Sequence, residues 1–222
     1  MKKTIVFIFL LFSISAFSQQ NKWNVGIVGG PSITALRMVN SKLEPPTPTA
    51  GFYFGISGRY NFTKNFSIHT ELAFDRKGAV NNTTFTDASG NVLSTSKLAT
   101  QFNYLTLPLL LRASVGSKVE YFLQAGPCVS YLLNQTYKYS NTSVDQNAVH
   151  KSNGTMFRPD IDFGISAGLG IVVPVKEKIT ISFELRENYG LIDLTKNNSN
   201  SNIKSYNESL SFLVGIVYKL GK

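Results

Sequence analysis

The chain lacks most of the devices that fix small exported domains. One cysteine, Cys128, among 222 residues excludes an internal disulfide and any cysteine-rich zinc site. Beyond the first twenty residues no apolar run approaches the ~20 residues that a membrane-crossing helix needs, so a helical anchor is excluded. No stretch sustains a helical period either, which removes helix bundles from consideration. Charged residues are sparse at 16%, while 43% of the chain is apolar, a balance too hydrophobic for disorder. The formal net charge is +9. Its basic residues are scattered through turns, loops and one strand face and form no stripe, so no nucleic-acid partner is expected.

What is present begins with an export signal. Lys2 and Lys3 precede the apolar run Ile5 to Phe12, and small residues lead to a cleavage point after Ser18. Gln19 and Gln20 follow where a lipoprotein would carry cysteine. Residues 1–18 are therefore expected to be a signal peptide, and residues 19–222 a single β-barrel domain.

From Trp23 onward, apolar and polar residues alternate in runs bounded by Gly, Asn, Ser or Lys. Eight strands are predicted, at 23–36, 51–62, 66–76, 101–115, 119–134, 160–175, 179–191 and 208–220. Tight turns at Thr63-Lys64-Asn65, Gly116-Ser117-Lys118 and Lys176-Glu177-Lys178 alternate with long connections at 37–50, 77–100, 135–159 and 192–207. The last of these contains the low-complexity run 196–202. Strict alternation of short and long places all tight turns at one end of an up-and-down sheet, the arrangement of outer-membrane barrels.

A strand's side chains alternate between two faces. One parity is apolar, as in Leu105, Leu107, Leu109 and Leu111, or Leu210, Phe212, Val214 and Ile216, with Glu187 the exception in the seventh strand. The other carries Arg59, His69, Glu71, Asp75, Arg112, Glu120, Asp160, Asp162, Glu184, Arg186 and Lys219, interleaved with glycines. Two closed solutions fit: apolar side inward, as in a soluble ligand-binding barrel, or outward, toward lipid. The aromatics favour the second. Trp23, Phe62, Phe66, Tyr121 and Tyr218 fall near the tight-turn end, whereas Phe52, Phe74, Tyr131, Phe163, Tyr189 and Phe212 fall near the long-loop end. Two aromatic girdles flank an aliphatic band, as expected at the two membrane–water interfaces. The expected fold is an all-β, eight-stranded, antiparallel transmembrane barrel. Its narrow lumen would be closed by a structural charge network of Arg59, Glu71, Arg112, Glu120, Glu184 and Arg186. Pro108 and Pro127, inside predicted strands, each remove a ladder donor, so a bulge or local distortion is expected at each, one that could slip the facing parity by a residue beyond it.

Tyr104-Leu-Thr-Leu-Pro-Leu-Leu-Leu-Arg112 resembles the strand-four stretch of the PorT-like outer-membrane β-barrel family of Bacteroidetes. Gly126-Pro-Cys-Val-Ser-Tyr-Leu132 and Phe163-Gly-Ile-Ser-Ala-Gly-Leu-Gly170 are similar to its fifth and sixth strands. Thr106 departs from the Glu that many members carry, and the chain ends Tyr218-Lys-Leu-Gly-Lys222 without a terminal aromatic. The resemblance implies an outer-membrane location and, from the family's namesake, an association with type IX protein secretion.

No catalytic, cofactor or metal site stands out. Ser67, His69 and Glu71 share one strand face, but about 7 Å per two-residue step is too far for a relay, so His69 is read as filling space. His150 reads as a solvated loop residue. Gly168-Leu-Gly170 and Val25-Gly-Ile-Val-Gly-Gly30 open no helix and cradle no phosphate. The function expected is an envelope scaffold or interaction protein, an accessory of type IX secretion among its forms, with outer-membrane lipid and envelope or secretion proteins as partners. The alternatives are a soluble periplasmic lipocalin-like barrel and an outer-membrane lipid-modifying enzyme.

Overall fold

The computed structural model describes residues 23–40, 45–87, 89, 92–141, 144–152, 159–195 and 203–220. The expected signal peptide and the 196–202 run lie outside them. Nine strands follow in order: β1 (Trp23–Val39), β2 (Thr47–Asn61), β3 (Phe66–Thr86), β4 (Val92–Val115), β5 (Glu120–Asn141), β6 (Val144–Ser152), β7 (Ile161–Pro174), β8 (Ile179–Gly190) and β9 (Lys204–Leu220). Eight of them form a closed antiparallel ring, in which β4 pairs with β5, β5 continues to β7, and β9 returns to β1. The ninth, β6, stands outside the ring and pairs only with Gln135–Asn141 at the far end of β5.

Local chemistry fixes the three tight turns. In the β2–β3 turn the Thr63 hydroxyl accepts from the amides of Asn65 (3.2 Å) and Phe66 (3.0 Å). In the β4–β5 turn Gly116 takes φ +110°, a conformation that disfavours a Cβ. In the β7–β8 turn the amides of Val175 and Lys176 both bond to the Ile179 carbonyl.

The long connections need correction. Residues expected as loop at 77–100 are mostly strand, since β3 runs on to Thr86 and β4 starts at Val92. The 135–159 connection likewise contains the end of β5 and all of β6. These extensions are rich in Asn, Thr and Ser. Both faces lie beyond the apolar band, so the alternation that marks the lower strands is missing, although threonine suits a strand.

At the two prolines the expected local distortion is present, as gaps in the ladders rather than as a bulge. The register is unchanged across both, with Pro108 opposite Cys128 and Pro127 opposite Ile165. No bulge forms, and the facing parity does not slip. The β3–β4 ladder instead skips Glu71–Leu72 against Leu107–Pro108, and the β4–β5 ladder skips Leu109–Leu110 against Gly126–Pro127. Thr70 supplies a side-chain donor to the Pro108 carbonyl at 2.9 Å. The register shift in this region falls between Asn103 and Tyr104, where β5 carries the extra residue Leu133.

The apolar parity faces outward. Leu105, Leu107, Leu109, Leu111, Ile165, Leu169, Val214 and Ile216 are exposed, with Trp23, Phe62, Phe66, Tyr121 and Tyr218 toward the tight turns. Phe52, Tyr131, Phe163, Tyr189 and Phe212 are exposed toward the other end, and half-buried Phe74 stacks on Phe52 at 5.4 Å. Glu187 also faces outward, between Ala167 and Leu210 in the register. The inner parity is polar and buried, which overturns the lipocalin-like alternative, whose ligand cavity would need the apolar side within. Asp160 is a further correction: it is exposed just before β7 and does not enter the lumen.

Leu109→Arg, in the middle of the aliphatic band, is expected to destabilise the barrel in lipid vesicles by about 2–4 kcal/mol. Val92→Arg, far from that band, is expected to cost less than about 0.5 kcal/mol. Denaturant unfolding in bilayers measures both.

Candidate functional site: the filled lumen

The lumen is stacked in layers. At the tight-turn end Arg59 donates to Glu120 at 2.8 Å, and the Ser114 hydroxyl reaches the same carboxylate oxygen at 2.8 Å. In the amide orientation that satisfies both groups, the Asn24 oxygen accepts from Nε and Nη2 of Arg59 at 2.9 Å.

Above this pair lies the centre of the network. Arg186 has 1% of its surface exposed, and its guanidinium forks between two carboxylates from different walls. Nη1 and Nη2 donate to Glu71 at 2.7 and 2.8 Å, and Nε and Nη2 donate to Glu184 at 2.7 and 2.9 Å. Glu71 also accepts from the Tyr53 hydroxyl at 2.5 Å and meets His69 Nε2 at 2.7 Å. Gln124 donates to Glu184 at 2.6 Å and accepts from Arg112 Nε at 2.7 Å. Arg112 lies 3.8 Å from the centre of the Phe122 ring.

The six residues expected as one network thus form two groups. Arg59 and Glu120 sit at the rim, while Glu71, Glu184 and Arg186 form the core, and Arg112 joins it through Gln124 rather than through a carboxylate. Tyr53 and Gln124 went unrecognised in the sequence. Their parity put them on the inner face, but parity gives no cross-lumen partner. Glycine makes the space: a Cβ at Gly168 would lie 2.4 Å from Glu184 Oε1.

The upper lumen holds a second polar cluster and then an apolar cap. Lys77 Nζ lies 3.4 Å from Asp75 Oδ2, and Asn207 Nδ2 donates to Asp162 Oδ2 (2.7 Å) and to the Tyr104 hydroxyl (3.1 Å). Over them pack Leu36, Ala79, Phe102, Tyr104, Leu132 and Leu194. Leu194 comes from the β8–β9 connection, folded back by its amide bond to Ser205 O at 2.8 Å. Asp193 Oδ1 fixes that fold by accepting from the amides of Thr195 (3.0 Å) and Ser205 (3.1 Å).

The catalytic reading of Ser67, His69 and Glu71 must be adjusted in one respect. His69 and Glu71 do touch, because side chains two residues apart on one face lean along the strand and close the 7 Å step. Glu71 is at the same time held by Arg186 and Tyr53. All three residues are buried inside the barrel, away from the lipid face. His150 is backbone-paired with Tyr137 in β6. Among the described residues no group of three or more His, Cys, Asp or Glu is placed to hold a metal ion.

A closed ring that is apolar outside, aromatic at both margins and filled with paired charges defines an outer-membrane β-barrel. The model of the family described as outer membrane protein beta-barrel domain matches residues 17–196, and the chain belongs to that family. No curated protein matches it. Among solved structures it is similar to Neisserial surface protein A, at 12% identity over 89% of this chain and 97% of that one, with a TM-score of 0.47. It is also similar to Ail, the attachment invasion locus protein of Yersinia pestis, at 13% identity, 89% and 99% coverage and a TM-score of 0.42. Outer Membrane Protein W of E. coli gives 11% identity, 92% and 100% coverage and a TM-score of 0.45.

Glu71→Ala leaves the Arg186 guanidinium facing Glu184 alone in a buried site. It is expected to cost about 3–5 kcal/mol in denaturant unfolding of the detergent-solubilised protein. Gly168→Ala, which drives a methyl into a carboxylate fixed by three hydrogen bonds, is expected to cost about 1–3 kcal/mol in the same measurement.

Proposed function

We propose that the protein is a non-conducting, non-enzymatic scaffold of the outer envelope, acting through the strands and loops that rise beyond the aromatic girdle. One observation carries this reading: the lumen is shut by the Arg186 network and the Leu194 cap, while the sheet continues well past the apolar band. About 9–11 residues suffice to cross the membrane as a tilted strand. β4 has 24 and β5 has 22, and β6 extends the same sheet sideways. Matter invested there serves neither crossing nor closure, so an exterior contact surface is the role left to it. The tight turns then face the periplasm, as in other outer-membrane barrels.

The likeness of the 104–112 segment to PorT-like barrels supports an accessory role in type IX secretion as the specific form of this scaffold. The alternative of a lipid-modifying enzyme has only the His69–Glu71 contact in its favour. That pair is enclosed in the lumen, where no lipid ester reaches it.

In planar bilayers the purified protein is expected to give no resolved conductance steps, and a steady open channel would contradict the reading. Replacing residues 82–97 by a two-residue hairpin turn, across the Asn81–Leu98 pair, should leave heat-modifiable gel mobility intact. In cells the same variant should retain type IX cargo in the periplasm. Normal cargo export from both the shortened variant and a deletion strain would overturn the secretion role.

A further inference from the structure

A single charged side chain interrupts the outward face of β8. Glu187 is exposed there between Leu185 and Tyr189, the neighbours on its own face of the strand. Among the described residues no hydrogen bond or ion pair holds its carboxylate. Arg37, higher on the same wall, is engaged elsewhere: its Nε lies 4.0 Å from Glu208, and its guanidinium lies 4.3 Å from the centre of the Tyr189 ring and 4.6 Å from that of Tyr206. Tyr189 belongs to the girdle at the long-loop end, so Glu187 sits at the inner margin of that girdle. A carboxylate at this depth is partly removed from water and calls for a partner of opposite charge.

The surface beside Glu187 is hollow. Across the strands, Leu111, Ala125, Ala167, Glu187 and Leu210 form one outward row, each paired with the next. The row beneath it runs Phe66, Ala113, Leu123, Leu169 and Leu185. Above it stand Pro127, Ile165 and Tyr189. Ala125 and Ala167 therefore lie between bulkier side chains on either side of their row, and the missing volume leaves an apolar groove that Glu187 lines. The strands are tilted, so the groove climbs obliquely from Phe66 at the tight-turn girdle toward Glu187 near the other. From Leu111 to Glu187 are three strand spacings, roughly 14 Å. That is close to half of the ~30 Å hydrocarbon core, the depth one acyl chain occupies.

We propose that this groove binds one membrane lipid whose headgroup carries a primary ammonium, with an acyl chain along the alanine track and the ammonium donating to the Glu187 carboxylate. The apolar groove supplies affinity for the chain, and the carboxylate supplies the choice of headgroup. A primary ammonium brings both a positive charge and N–H donors, so it makes a charge-assisted hydrogen bond. A quaternary ammonium has the charge without a donor, and a glycerol headgroup on a phosphate is net negative. A second copy of the chain fits poorly: groove against groove, it would set two Glu187 carboxylates together with no basic side chain in the lining. Another outward groove, over β1, β2, β8 and β9, has no charged side chain in its lining, so selection by headgroup belongs to the first groove.

The test is native mass spectrometry of the full-length protein from mixed micelles containing phosphatidylethanolamine, phosphatidylcholine or phosphatidylglycerol with identical acyl chains, in the presence of EDTA. One ethanolamine lipid per barrel should be retained, roughly tenfold more tightly than the choline lipid. Glu187→Gln keeps the shape of an exposed side chain and so spares folding; it should bring the two lipids to equal retention. Glu208→Gln, paired with Arg37 beyond the groove, should keep the preference. Ala167→Leu should fill the track and weaken the ethanolamine lipid by a similar factor, with heat-modifiable mobility reporting that the barrel is folded. Equal retention of the ethanolamine and choline lipids by the unaltered protein, or a preference that survives Glu187→Gln, would overturn the proposal. Retention that appears only when magnesium replaces EDTA would do the same, making a cation-bridged phosphate the ligand, and a lipid-free dimer strengthened by Glu187→Gln would overturn it in favour of a second copy.

Discussion

Inside hydrocarbon a backbone amide has no water to turn to, so every N–H and C=O in the spanning segment must be paired within the protein. For this chain the condition is met because the ladders between neighbouring strands are completed by one that joins distant segments, β9 back to β1. Once the ring closes there is no edge, and the pleat leaves two surfaces with opposite solvents. All else in the structure follows from that division. The apolar parity becomes the lipid face, the aromatic residues settle at its margins, and the remaining side chains are committed to a space too narrow for water to fill.

That interior is expensive to charge, yet it is charged. Arg186 lies between Glu71 and Glu184, with Tyr53, His69 and Gln124 completing their hydrogen bonds, so each ion is paired and almost every polar atom of this layer is used. Apolar packing of the same volume would be as stable or more so. It would also make the two strand faces alike, and a one-residue slip would then carry no penalty. Polarity inside is what makes the register unambiguous. The glycines belong to the same economy of space: with a side chain at Gly168, the Glu184 carboxylate would have to move.

Much of this was legible in the sequence. The Leu105–Leu111 and Leu210–Ile216 alternations specify their faces outright, and the three tight turns announce the connectivity. The polar partners were legible only as a set. Which carboxylate meets Arg186 depends on two walls coming together across 115 residues of chain, and local pattern holds no record of that. Above the girdle the signal fades because the outward face of the 77–100 segment no longer meets lipid, so polar residues such as Asn82 and Lys97 stand outside as Lys77, Ser96 and Thr100 stand inside, and the apolar–polar alternation is lost. The prolines were legible as places where the ladder is disturbed, though not in what form. Of the bulge or local distortion expected from a missing donor, the structure takes the second: the ladder omits two pairs, Thr70 lends a hydroxyl, and Gly126 lets β5 lie close to the Leu109 carbonyl. The Leu194 cap left no mark in the sequence, since a lone leucine in a polar loop is unremarked until its neighbours are known.

The central claim is that the apolar parity faces lipid, and the single tryptophan tests it directly. Trp23 is the only tryptophan in the chain, with 57% of its surface exposed at the tight-turn girdle. The barrel should be reconstituted into vesicles whose lipids carry bromine at defined depths along the acyl chain, and Trp23 fluorescence recorded for each. Strong quenching by bromines near the headgroup, weaker quenching at the bilayer centre, and little effect of aqueous acrylamide are the predicted result. Fluorescence insensitive to brominated lipid at every depth but quenched by acrylamide would contradict it.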